Sequence, residues 1–318
     1  MPLPFKLDHI NLWLLEDNDA EGDGWTIVDT GINRDEVRDA WEILFAAHFS
    51  DAKPLKRVNV THFHPDYFGL AGWLTRRFEV PLWMPREEWA QARMLSLETV
   101  ETSRDAFSRF YHAAGFDEEM MTEARARSGR YAQLVSRAPE SLIRITDGAE
   151  IVINGRTWRS IVGQGHSPEH ACLYSADLDV LISGDQVLPR ITTNISVWYT
   201  EPDGDPLRQF MTSFDRFRPL PDDVLVLPSH DRPFRGLHDR LDGLIEHHEE
   251  RLDAAAAHCE TPRTAMDLLP VLFRRELDDH QIAFAMGEAL AHLNYLVTDG
   301  RARKYRNDAG QIVFQKTD

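Results

Sequence analysis

Apolar and polar residues alternate in short blocks along the first seventy positions. "INLWLL" and "WTIVDTG" read as strands, separated by the acidic, glycine-containing loop "EDNDAEGDG". In "RDEVRDAWEILFAAHF" the apolar positions Val37, Trp41, Leu44 and Phe45 recur at helical spacing. "LKRVNVTH" is strand-like again, and strand, helix, strand in succession predicts a sheet covered by helices. From about Arg86 to Glu140 the pattern turns helical, with glycine and proline only at joints, which predicts an insertion too long to be a plain connection. Its aromatics and methionines either pack the helices together or cover a site. Strand signals resume in "EIVINGRTWRSIVGQG", where "NG" supplies a hairpin turn. They continue in "ACLYSADLDVLISGDQVL", turning at "ADLD", and in "DDVLVLPSHD". Helix returns from about Leu237, breaks at "ETPRT", resumes, and gives way to a β-hairpin around "NDAG". The expected division is 1–245, carrying the insertion at about 86–140, and a smaller 246–318.

Composition narrows the partners. A chain of 318 residues, 42% hydrophobic and 27% charged, can build one large core or two unequal domains. Its net charge of −17 repels phosphate backbones and anionic lipid, so neither nucleic acid nor membrane is the expected partner. "RARKYR", Arg301 to Arg306, is the one local basic cluster. No apolar run approaches the roughly 20 residues that cross a bilayer, and the first twenty residues turn acidic, so the chain reads as cytoplasmic. Cys172 and Cys259 lie far apart and read as reduced thiols. The expected partner is a small-molecule substrate, with the C-terminal segment either packing on the rest or forming a homodimer.

Candidate chemistry gathers where apolar strands end. Asp29 lies in "VDTG"; His62, His64 and Asp66 lie in "THFHPDYFG"; His166 in "GQGHSPEH"; Asp185 in "LISGDQVL"; His230 in "LVLPSHD". Each would project from the same edge of a sheet, where loops held on a rigid scaffold carry sites. Imidazole and carboxylate donors suit zinc, one or two ions per chain, with Mn2+ or Fe2+ satisfying the same donors. His62, His64 and His166 would hold one ion. Asp66, Asp185 and His230 would hold a second, with Asp185 able to bridge. Such a pair shares a hydroxide that is a nucleophile at neutral pH. Asp29 is expected to buttress the site, and His170 is either an outer support of it or a polar group under the sheet.

In this order, Asp29, His62-Phe63-His64-Pro65-Asp66, Gly165-His166-Ser167-Pro168, Gly184-Asp185 and His230 resemble the metallo-β-lactamase-fold hydrolase superfamily, over roughly Asp8 to Asp231. The resemblance implies an α/β fold, the αββα sandwich, with a metal site along one edge of the sheets. The stretch from Thr261 resembles the winged-helix appendage of one branch. The chain departs from the pattern at Tyr67, in place of a fourth histidine of the motif, and at Glu169 and Asp231, where glycine is usual. Tyr67 has three roles open to it: a phenolate ligand, a neutral hydrogen-bond donor, or packing. With Asp66 it forms the candidate catalytic pair. Arg190, Asn194, Trp198 and Tyr199 either line the substrate side or pack their loop. The expected activity is metal-dependent hydrolysis of a small ester, thioester or lactone. The alternatives are nucleic-acid processing through the C-terminal segment and oxygen chemistry at a single iron.

Overall fold

The computed structural model describes residues 1–5, 7–20, 22–127, 129–273 and 276–317. In chain order the elements are β1 (Trp13–Glu16), β2 (Trp25–Val28), α1 (Asp35–His48), β3 (Leu55–Asn59), α2 (Pro65–Phe68), α3 (Ala71–Phe78), β4 (Leu82–Met84) and α4 (Arg86–Leu97). There follow α5 (Val100–Ala114), α6 (Glu118–Arg127), α7 (Tyr131–Leu134), β5 (Ile143–Arg144), β6 (Glu150–Ile153), β7 (Arg156–Gly163), β8 (His170–Ser175) and β9 (Val180–Gly184). The chain ends with α8 (Pro206–Ser213), β10 (Leu225–Pro228), α9 (Leu237–His258), α10 (Ala265–Leu272), α11 (Asp279–Thr298), β11 (Ala302–Arg306) and β12 (Ile312–Lys316).

Two compact units emerge, and the chain passes between them more than once. The first comprises Met1–Glu98, Arg130–Thr193 and Asp215–Arg240; the second comprises Thr99–Gly129, Asn194–Phe214 and Leu241–Asp318. In this grouping α5 and α6 of the insertion fall with the C-terminal elements. The junction lies at Thr99, whose side chain caps α5 in a reciprocal box with Thr102, ending the helical run that α4 began.

In the first unit, two five-stranded sheets run in the orders β1-β2-β3-β4-β5 and β10-β9-β8-β7-β6. This is the sheet-on-sheet arrangement of an αββα sandwich. Strands β2 to β5 are parallel; β6 to β9 form an antiparallel meander, with β10 parallel to β9. The meander turns where the sequence signals it, with Asn154 and Gly155 both at positive φ (52° and 68°). Val28, Ile151, Ile153, Trp158, Leu173 and Ile182 pack between the sheets. On the outer side, Val37, Trp41 and Phe45 of α1 join Phe68, Leu70 and Leu74 in a second cluster against Ile27 and Val58. Strands β4 and β5 carry no periodicity that marks them, being three and two residues long. They exist because β3 offers β4 a parallel edge, which β4 passes to β5.

The second unit is helical, with α10, α11 and the antiparallel β11–β12 hairpin at its C-terminal end. Asp278 and Thr264 cap α11 and α10 with reciprocal boxes, which is why "ETPRT" breaks the helical run. Asn194, Trp198 and Tyr199 belong to this unit, and Trp198 packs edge-on to Phe284 and Tyr199 edge-on to Phe107. Among the described residues no helix is long and apolar enough to cross a membrane.

Candidate metal centre

Asp29 follows β2 at φ +64°, a left-handed conformation that few non-glycine residues hold. The turn aims its carboxylate across to the end of β3, where Oδ1 accepts from the Thr61 backbone N–H at 2.8 Å and from the Thr61 hydroxyl at 3.0 Å. The same hydroxyl lies 3.0 Å from His62 Nδ1. With its one proton given to Asp29, Thr61 accepts from Nδ1–H, which leaves His62 Nε2 as a bare lone pair. Burial pushes the Asp29 carboxyl up to about 8, against the pull of the Thr61 hydrogen bonds. The buttress expected of Asp29 thus acts through Thr61.

His64 precedes Pro65, the first residue of α2, and its carbonyl accepts from Tyr67 and Phe68 N–H. This sharp entry into helix folds the His64 ring back towards His62. His62 Nε2 lies 2.9 Å from His64 Nδ1 and 3.2 Å from His166 Nε2. One ligand atom from each of the three lies within 4.8 Å of the others, a grouping that could hold a metal ion. Burial, then the neighbouring imidazoles, holds His62 and His64 well below the ordinary histidine value. Neutral imidazoles aimed at a common point are ligand-competent.

Asp66, Asp185 and His230 meet beside them. His230 Nε2 is 3.5 Å from Asp185 Oδ1 and 3.8 Å from Asp66 Oδ2. The other oxygen, Asp185 Oδ2, is 3.4 Å from His166 Nε2. One carboxylate therefore faces both donor sets. Asp185 Oδ1 is buried without a hydrogen-bond partner, the state in which an anionic oxygen fits a cation. His230 Nδ1 is 2.8 Å from the His9 carbonyl, to which it donates, so Nε2 faces inward. His170, wholly buried, accepts from the Asp185 backbone N–H at 3.1 Å and so sets that turn. Gly184 holds φ +54°, and a Cβ there would stand 2.3 Å from His170 Cε1, so the turn admits no side chain.

Tyr67 is fully buried, its hydroxyl 3.2 Å from His230 Nε2. Burial first, then Asp185 and Asp66, pushes the phenol well above its ordinary value. Burial and then Asp185 also raise Asp66, which keeps part of its side chain open to solvent. Arg190 pairs with Asp231 at 3.2 Å. Asp231 itself takes φ +67°, the conformation that explains why glycine is common there.

Glu88 gave no signal in the sequence, since it follows no strand and sits in an ordinary acidic first turn of α4. It is fully buried and accepts from Phe63 N–H (2.9 Å), the Ser167 hydroxyl (2.7 Å) and Glu169 N–H (2.6 Å). Burial pushes its carboxyl up to about 7 in spite of these bonds. The Tyr131 hydroxyl donates to the Phe63 carbonyl from the other side. Both loops that bear the three histidines are thereby tied to α4 and α7. Glu169 accepts from Glu87 N–H at 3.1 Å, the use this chain makes of its departure at that position.

The family profile described as the metallo-beta-lactamase superfamily matches residues 6–230, and that of the metallo-beta-lactamase-like C-terminal domain matches 252–317. Among solved structures, a β-lactamase domain protein from Burkholderia ambifaria is 43% identical with a TM-score of 0.92, covering 100% of this chain and 91% of its own. A metallo-β-lactamase family protein from Thermus thermophilus is 27% identical with a TM-score of 0.82, covering 100% and 97%. A β-lactamase-like protein 2 homolog from Caenorhabditis elegans is 27% identical over 34% of this chain, and the match spans only 33% of that relative's length.

Proposed function

The chain belongs to the metallo-β-lactamase superfamily, and on that premise we propose that it is a zinc-dependent hydrolase of a small ester, thioester or lactone. The observation that carries the reading is Asp185, whose two oxygens face two separate donor sets. His62, His64 and His166 would hold one ion, and Asp66, Asp185 and His230 the second. When bound, the metal supplies Lewis acidity and activates water for attack on a carbonyl. Tyr67 stays a neutral phenol, its hydroxyl held 3.2 Å from His230 Nε2 beside the second donor set. Asp66, the more open of the two carboxylates, exchanges the proton released in hydrolysis with bulk water. His170 and Glu88 hold the loops still, so that little reorganisation accompanies the reaction.

A strongly acidic chain with half of its basic cluster paired internally favours a small-molecule substrate over nucleic acid. Two free, buried cysteines support a cytoplasmic setting.

The test is metal content per chain by elemental mass spectrometry, on protein purified without chelator, followed by a panel of esters, thioesters and lactones. About two zinc per chain, with hydrolysis lost to chelator and restored by zinc, is the expected result. One iron per chain and no hydrolysis moves the assignment to oxygen chemistry. No metal after reconstitution overturns it.

A further inference from the structure

We propose that the second unit carries a binding site for a small amphipathic anion, a carboxylate head on a short apolar tail, built without any of the metal-donor residues. A cavity of about 330 Å³ opens among α5, α11, the β11–β12 hairpin and the loop around Tyr199. This is the small end of the range for ligand sites, roughly 300–1,000 Å³. On α5, Ala106, Arg109, Phe110 and Ala113 follow helical spacing and line it together. The hairpin pairs Lys304 with Phe314 and Arg306 with Ile312, so two cations and two apolar side chains share one face of the ribbon. Apolar floor and cationic rim thus arise from the periodicity of the same two elements.

Charge sets the sign of the head group. In a chain of net charge −17, this cavity is lined, among the described residues, by Arg109, Lys304 and Arg306 against Asp203. Asp203 is engaged by Lys304 at 2.6 Å. Arg306 donates from Nη1 to the Gly310 carbonyl at 2.7 Å, which leaves most of its fork. Arg109 makes no hydrogen bond or ion pair among the described residues, and both arginines are solvent-exposed. A neighbouring cavity of about 320 Å³ shares Arg109 and Arg306 in its lining, with Glu118 beside them. A planar fork matches a carboxylate or a phosphate in two-point geometry, and the small cavity favours the smaller, planar carboxylate.

A nucleic-acid backbone fits less well. Strand alternation splits the basic cluster: Arg303 and Tyr305 both bond to Gln315, and Arg301 pairs with Asp253 at 2.6 Å, so no continuous row of free cations remains.

The test is calorimetric titration of the full, metal-loaded chain with octanoate, 1-octanol, acetate, octyl phosphate and single-stranded RNA. Octanoate is expected to bind one per chain, with octanol and acetate weaker by about ten-fold or more, since each lacks one half of the recognition. Arg109→Ala and Arg306→Ala should each weaken octanoate by about ten-fold while leaving metal content unchanged. Ala106→Phe, which fills the cavity and alters no charge, should abolish binding. Octanoate binding indifferent to all three substitutions, or no saturable binding, overturns the proposal. Ten-fold tighter binding of octyl phosphate, or of RNA, overturns the carboxylate assignment.

Discussion

The Glu88 carboxylate receives the Ser167 hydroxyl at 2.7 Å, and through that contact the loop bearing His166 is fastened to the helix that also fastens Phe63, between His62 and His64. Two loops far apart in sequence take their spacing from one buried side chain. Glutamine has one acceptor oxygen where glutamate has two, so Glu88→Gln should weaken metal binding by about 10–100-fold, as loss of an outer support of a metal site does. Competition against a chromophoric chelator measures this; an affinity within twofold of the parent would refute the role.

Tyr67→Phe removes a hydroxyl and leaves the ring. With the phenol acting as neutral donor to His230, metal content should hold at about two per chain while turnover falls by about ten-fold, the worth of an ordinary hydrogen bond. A fall to one ion per chain would instead make Tyr67 a ligand.

Asp185→Asn leaves the shape and removes the charge that faces both donor sets. Bound zinc should drop from about two per chain to one or fewer, with hydrolysis reduced by about a thousandfold or more if the metal pair acts as a unit. Two tightly bound zinc ions in the variant would exclude a bridging role.

Gly184→Ala drives a Cβ against the His170 ring at a backbone position with φ +54°. Left-handed strain and overpacking together predict a cost of about 2–4 kcal/mol, visible as a lower Tm. An unchanged Tm would mean that His170 moves freely, contrary to its packing beneath Asp185.

Stability should depend on pH through the second unit. His248 Nδ1 lies 3.3 Å from His292 Nε2, and His292 Nδ1 donates to the Glu288 carbonyl at 2.8 Å. Burial holds His248 down at about 2 and His292 at about 4. Unfolded imidazoles take up protons near pH 6.5, so the folded chain binds fewer, and stability is full above that pH and is lost as pH falls towards the folded values. Glu288, raised by burial, works in the opposite sense, so the comparison with His292→Gln isolates the histidine. Urea unfolding between pH 6.5 and 4 should show the parent losing about 1.4 kcal/mol more per pH unit than the variant. Equal slopes would place His292 in contact with solvent.

The residues proposed as donors stand out in the sequence because each follows a strand that periodicity marks: His62 and His64 after β3, Asp185 after β9, His230 after β10. Their supports were not. Glu88 and Tyr131 lie on helices whose pattern gives no sign of a polar group turned inward, and only the closed fold brings them to Phe63. The grouping of α5 and α6 with the C-terminal elements escaped for a related reason. The insertion reads correctly as helix, yet nothing local says that α5 and α6 associate with elements made far later. The substrate-side residues divide in the same way, since Arg190 is drawn to Asp231 and Trp198 and Tyr199 find aromatic partners in the second unit.

That recurrence of the second unit along the chain sets an order of events at the ribosome. Helix α6 is synthesised about 150 residues before α11, against which it packs. At about 5–20 residues per second the wait lasts roughly ten to thirty seconds, far longer than helix formation or collapse takes. During it Phe107, Phe110 and Tyr111, all buried in the finished molecule, lack the C-terminal segment. A nascent chain stalled before α11 should therefore engage chaperones that a completed one releases.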